Sequence, residues 1–242
     1  MKILFSLRRF VTILTGIVSL SMLLWSCTKF NDDNNSNTPA AGLMSFNLAP
    51  DQSGVYIALS GNNLSNVPLA YTSYSGVYQA IFPGERPVQS FSYPSDSALA
   101  QVNHVFTPDK YYSVFVIGAN GHYQNLVTDD NFDSLAVKPG KAFVRYINAI
   151  ADSSKPLVTI AANGNNVVSN NASFASVSDF ATIDAGDVAV KVNSGSSIDV
   201  SRNITLEQNK VYTVLLVGTP GAADPTKAVQ IKFISNGTVT GQ

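Results

Sequence analysis

Few side chains in this sequence are of types that do chemistry, and their spacing argues against most reactions. Only two histidines occur, His104 and His122, and neither belongs to a His-x-x-x-His or His-Glu pair. A metal site draws several His, Cys or acidic ligands at defined spacing. A nucleophilic serine is expected on a Gly-x-Ser-x-Gly turn, and no such turn is present. The phosphate-cradling patterns Gly-x-x-x-x-Gly-Lys-Ser/Thr and Gly-x-Gly-x-x-Gly are missing as well. These residues point away from catalysis and imply no cofactor. The densest acidic run is Asp129-Asp130-Asn131-Phe132-Asp133. Clustered oxygen donors suit calcium, which makes Asp129, Asp130 and Asp133 candidate ligands. The run lacks the Gly and terminal Glu of an EF-hand loop and reads equally as a solvated loop. Tyrosine is the other unusual resource: eight of the ten fall between residues 56 and 123. Tyr71, Tyr74, Tyr78 and Tyr93 stand among Ser, Gly and Pro, where exposed rings form adaptable surfaces for proteins or sugar faces. Phe174 and Phe180 lie in the corresponding part of the later sequence, so part of this aromatic set is expected to be core.

The single cysteine, Cys27, carries a different chemistry. Lys2, Arg8 and Arg9 form a positive n-region, and Phe10 to Leu24 is an apolar run too short for a comfortable bilayer span. It ends in Leu24-Trp25-Ser26-Cys27, which resembles the lipobox of bacterial lipoproteins, with the bulky Trp25 as a departure. In such a site residues 1–26 are removed and the Cys27 thiol is acylated, so the chain meets the membrane through its lipid. No thiol is then left for a disulfide, a metal or a nucleophile. Removing Lys2, Arg8 and Arg9 leaves 12 basic against 16 acidic residues, a charge of about −4. Residues 27–41 are the lipidated cysteine and a polar tether with too little apolar surface to order itself. Thr28 follows the cysteine, so the inner-membrane retention aspartate is absent. Lys29 with Asp32 and Asp33 is similar to the signal that sends some lipoproteins to the outer surface of the outer membrane. An outer membrane location follows, surface-exposed or otherwise on the periplasmic face.

The elements that position these residues are strands. The chain has 242 residues, a formal charge of −1, a pI near 6.1 and only 13% charged residues. That balance lacks the basic excess of a nucleic-acid binder. Val188, Val190 and Val192 alternate with period two, and Val114–Ile117 and Val214–Val217 are continuous apolar runs beside Gly. No stretch combines helix caps with a sustained 3.6-residue period. The body also repeats itself at an offset of about 100 residues. Leu43–Asp51 matches Phe143–Asp152 through an apolar strand, an asparagine, an Ala and an Asp. Gly61-Asn62-Asn63 recurs as Gly164-Asn165-Asn166, and Asp109–Gly118 recurs as Asn209–Gly218. Tyr112 and Tyr212 open equivalent strands after a turn, the placement of a tyrosine corner.

Gly140-Lys-Ala-Phe-Val-Arg-Tyr-Ile-Asn148, the Ala185-Gly186 turn and Lys210-Val-Tyr-Thr-Val214 resemble the domain of unknown function 4397 family. The resemblance covers about residues 42–237 and is closer in the second copy; the first departs at Met44-Ser45 and Phe82-Pro83. It implies secreted or lipid-anchored bacterial proteins with immunoglobulin- or transthyretin-like repeats, and no established activity.

The expected protein is all-β: two tandem β-sandwich domains, 42–136 and 141–242, after the signal peptide and tether. The expected function is non-enzymatic, a lipid-anchored envelope module that binds or scaffolds a partner protein or a glycan. The alternative is a structural assembly subunit acting through edge-strand pairing. Asp96-Ser97-Ala98 and Asp133-Ser134-Leu135 match a short O-glycosylation pattern that also arises by chance.

Overall fold

The computed structural model describes residues 39–240 except Ser196. The expected signal peptide, Cys27 and almost all of the expected tether lie outside the described residues. Alternating apolar positions, set off by Gly, Asn and Pro, extend the first half into β1 (Ala41–Asn47), β2 (Gly54–Leu59), β3 (Asn62–Asn63), β4 (Leu69–Ala70) and β5 (Gln79–Ile81). It continues with β6 (Gly84–Ser92), β7 (Ala98–Phe106), β8 (Tyr111–Ala119) and β9 (His122–Asp129). A 3-10 turn, Phe132–Ser134, leads to the second half. That half contains β10 (Lys141–Asn148), β11 (Leu157–Ala162), β12 (Asn165–Asn171), β13 (Ala181–Asp184), β14 (Gly186–Ser194), β15 (Ile198–Leu206), β16 (Lys210–Val217) and β17 (Gln230–Thr238).

Each half packs two sheets face to face. In the first the orders are β5-β1-β8-β9 and β3-β2-β6-β7, with β4 also on β2; in the second they are β13-β10-β16-β17 and β12-β11-β14-β15. The orders correspond strand for strand. Even the parallel pair recurs, β1 with β8 and β10 with β16, inside otherwise antiparallel sheets. Three recurring sequence features acquire a cause. Asn47 and Asn148 are fully buried. Each accepts the N–H two residues on, at 3.1 Å, and donates its amide to a carbonyl of a neighbouring loop, Leu69 or Ala172, at 2.9 Å. The hydroxyls of Tyr112 and Tyr212 each accept the backbone N–H five residues upstream at 3.0 Å, a tyrosine corner in both halves. Gly118 and Gly218 close β8 and β16 with φ of +111° and +105°, where a Cβ would lie 2.0 Å and 2.2 Å from a backbone oxygen.

Three cores result. Leu43, Val55, Ile57, Val88, Phe106 and Val114 fill the first sandwich, and Val144, Val158, Ile160, Val190 and Val214 the second. A third core lies between the halves, where Met44, Phe46, Leu48, Phe115 and Ile117 meet Ile147, Leu215 and Val217. This explains the continuous apolar runs. Each central strand sends alternate residues into its own sandwich and the others into the join. Burying a large side chain is worth about 1.5–3 kcal/mol, so the third core holds the halves firmly together. The described chain from Pro39 onward is accordingly one compact unit.

Candidate functional site

The join is not wholly apolar. Arg145 sits mid-way along β10, in the run Phe143-Val-Arg-Tyr-Ile, and its side chain is only 2% exposed. Its Nη2 lies 2.6 Å from Oδ1 of Asp130, which follows β9 in the first half and is completely buried. The guanidinium also donates to Thr213 Oγ1 at 3.0 Å and to Ser113 Oγ at 3.1 Å, and it stacks 4.5 Å from the Phe180 ring. Ser113 in turn donates to Asp130 Oδ2 at 2.8 Å, and the Tyr78 hydroxyl donates to the same oxygen. Asn236 Nδ2 donates to the Tyr78 oxygen at 3.0 Å, while Thr213 donates to Asn236 Oδ1 at 2.6 Å. Tyr78, Ser113 and Asp130 come from the first half; Arg145, Thr213 and Asn236 come from the second. A charge in the interior persists only when it is paired and hydrogen-bonded, and this network supplies both conditions.

Burial pushes the Asp130 carboxyl above its ordinary range, against the pull of Arg145, Tyr78 and Ser113. Burial first, and then the charge of Asp130, push the Tyr78 phenol well up. Tyr78 also floors a cleft of about 660 Å³ between the halves. One wall is Tyr111, Phe132, Leu135 and Val137; the other is Val211 and the end of β17 with residues 237–240. The rings brace one another: Tyr78 lies 5.1 Å from Tyr111 and 5.6 Å from Phe132, both edge to face. Tyr111 seats on Gly42, where a Cβ would come within 2.5 Å of its ring. It leaves 45% of its surface to solvent. Asn236 and Asp133 add polar groups, with Asp133 paired to Lys110 at the rim. Ring faces, an amide, a carboxylate and threonine hydroxyls at one cleft can hold a polar ligand that has an apolar face. Nothing in the set forms a nucleophile with its base.

The residues singled out from sequence separate here. Tyr71 and Tyr74 are half-buried and pack against the third core, with Tyr74 stacked 5.6 Å from Phe46. Candidates from sequence for a binding surface or for core, both give their rings to the join. Burial pushes the Tyr71 phenol up to about 12. Tyr78 joins both the core and the cleft, and Tyr93 alone of the four is well exposed. The three candidate calcium ligands are not brought together: Asp130 is held by Arg145, Asp133 by Lys110, and Asp129 accepts the N–H of Asn131 at 2.9 Å. Among the described residues no group of three His, Cys, Asp or Glu could hold a metal ion. His104 packs at 4.9 Å from Phe106 and 5.2 Å from Tyr112, whereas His122 is exposed where β9 begins. Ser97 and Ser134 are both exposed, and Ser134 donates to the Asn131 carbonyl. The sequence reading missed Arg145, Tyr111, Phe132 and Asn236. For Arg145 a signal existed, a lone charge inside an apolar strand.

Residues 142–236 match DUF4397, a domain of unknown function. No curated protein matches the chain. Among solved structures, the chain is similar to CBMbc, of family CBM26, from Eubacterium rectale Amy13K in complex with maltoheptaose. The identity is 10% and the TM-score 0.24, over 80% of this chain and 96% of that one. It is similar also to family 41 carbohydrate-binding modules of streptococcal virulence factors, which recognise α-glucan, at 12% identity and TM-score 0.25 over 81% and 97% of the two chains. A proposed cell adhesion protein from Bacteroides eggerthii is similar at 10% identity and TM-score 0.25, over 85% and 98%.

Proposed function

We propose that this chain is a non-enzymatic binding module, lipid-anchored through Cys27 in a bacterial outer membrane, whose cleft between the halves seats a sugar residue. The first half is on this reading a divergent copy of the domain matched in the second. The observation that carries the reading is the cleft: an exposed ring, Tyr111, stands across from Asn236 over a floor whose polar groups are already satisfied. Such a floor holds its shape and leaves ring faces and outer polar groups for the ligand. Short neutral oligosaccharides titrated calorimetrically into the full chain in detergent test it. Tyr111→Ala is expected to weaken binding about tenfold and Tyr111→Phe much less. Equal affinity of all three proteins, or no heat with any oligosaccharide, removes the reading. The anchor is tested separately: metabolic labelling with a palmitate analogue should mark the chain and fail with Cys27→Ser.

A second reading, assembly through edge strands, is favoured by β12. This seven-residue edge strand, Asn165–Asn171, carries no charge and no proline, the devices that usually block edge pairing. Concentration-dependent oligomers that vanish with Val167→Lys would support assembly.

A further inference from the structure

The sheet β3-β2-β6-β7 turns Val55, Ile57 and Val88 into the first core, and its other face looks outward. The register places Tyr56 opposite Phe91 and Gln89 between Ala58 and Gln101 on that outer face, with Pro87 opposite Asn103. Tyr93 follows β6, with its ring edge-on to Tyr56 at 5.9 Å, and is 46% exposed. Beside the rings the amides are ordered. Gln89 Nε2 donates to Gln101 Oε1 at 3.0 Å, and Gln89 Oε1 accepts the Gly61 N–H at 3.1 Å. The Gln101 amide nitrogen and Asn103, both on an exposed stretch of β7, are left facing solvent.

The second half shows that the fold does not require this face. By the same registers, Leu157 stands where Tyr56 stands, Asn193 replaces Phe91, Lys191 replaces Gln89 and Ser201 replaces Gln101. There Lys191 pairs with Asp199 at 3.5 Å, and Asn193 donates to Asp199 at 3.1 Å, as on an ordinary solvated surface. One architecture thus carries a lysine-aspartate pair on its outer face in one half and, in the other, a row of rings continued by neutral amides, with Glu85 as the charge at the far end of that row.

We infer that the outer face of the first half binds a neutral polysaccharide chain lying along the sheet. The rings of Tyr93, Tyr56 and Phe91 take the apolar faces of successive sugars, and the amides of Gln89, Gln101 and Asn103 take their hydroxyls. The neutrality of rings and amides fits an uncharged ligand, and their row fits an extended one. A protein partner needs an apolar interface centre within about 800 Å² per side, whereas here rings cover one end and amides the other. This surface is separate from the cleft.

The test is retention of the full chain, in detergent, by gels containing amylopectin, xylan, mannan or hydroxyethylcellulose. At least one polymer should retard it. Tyr93→Ala and Gln101→Ala are each expected to weaken that retention about tenfold, Tyr93→Phe should largely preserve it, and Lys191→Ala on the second half's face should leave it unchanged. Circular dichroism melts confirm that the exposed-site variants remain folded. Absence of retardation by all four polymers overturns the inference, as does equal retention of wild type, Tyr93→Ala and a Tyr56→Ala/Phe91→Ala variant. Loss of retention with Tyr111→Ala alone would also overturn it by moving the polymer to the cleft.

Discussion

The two halves are built on one plan, and they differ where they face something other than themselves. Inside, they agree: the same strand order, an asparagine peg in β1 and β10, a tyrosine corner on β8 and β16. At the join they part. The register that sets Met44 opposite Ser113 sets Arg145 opposite Thr213, so an apolar side chain in one half answers a buried cation in the other. Asp130, from the first half, supplies the countercharge. On the outer faces, rings and amides oppose lysine, asparagine and serine. Shared positions therefore hold the sandwich, and divergent ones fasten the halves or meet a ligand.

The sharpest break in that pattern should come from making the halves alike at the join. Arg145→Met copies the first half and strands Asp130 without its cation, which is expected to cost about 3–5 kcal/mol in urea denaturation at neutral pH. Without Arg145 the Asp130 carboxyl, already raised by burial, rises further. The folded state then binds a proton that the unfolded chain has released, so the variant's stability falls as pH rises above the ordinary carboxylate range. The deficit should be smallest in acid. Adding Asp130→Asn removes the stranded charge, and the double variant should recover most of the loss. A double variant no better than Arg145→Met would mean that the guanidinium acts through packing.

The shared positions should respond alike in both halves. Asn47→Ala and Asn148→Ala each orphan a buried N–H and a loop carbonyl, with an expected loss of about 2 kcal/mol apiece. Tyr112→Phe and Tyr212→Phe remove one accepted hydrogen bond and keep the ring, for about 1 kcal/mol each. Thermal melts that show one member of either pair to be silent would end the claim that pegs and corners are equivalent.

Much of the shared part was legible in sequence, because strands advertise themselves through alternation, as at Val188, Val190 and Val192. The pegs and corners showed through the recurrence of Asn47 and Asn148, and of Tyr112 and Tyr212, at about the same offset. The join was not legible. Tyrosine suits both a core and a surface, and what buries Tyr71 and Tyr74 is the packing of one half on the other, which no local pattern encodes. Likewise the charge of Arg145 was visible within an apolar run, but its partner lies beyond the first half's last strand, among acids that otherwise read as a loop. Tyr111 and Phe132 gain their meaning only from the cleft that they wall.

The smallest expected difference concerns pH. In the register His104 occupies the position that Ile204 holds in the second half, opposite Arg86 and Val188 respectively. It packs against Phe106 and Tyr112, and burial lowers its imidazole below the ordinary value, partly opposed by Asp129. At pH 7 this ring is mostly neutral in both the folded and the unfolded chain. As pH falls past about 6.5, the ordinary value, the unfolded chain takes up a proton that the folded half resists, so stability declines until the lowered folded value is reached. His104 keeps part of its surface in water, and solvent screening makes the decline shallow. Melting temperatures between pH 7 and 5 should fall less steeply in His104→Ile, which copies the second half. Parallel slopes for wild type and variant would show that this histidine carries none of the pH dependence and that its departure from the shared plan is energetically silent.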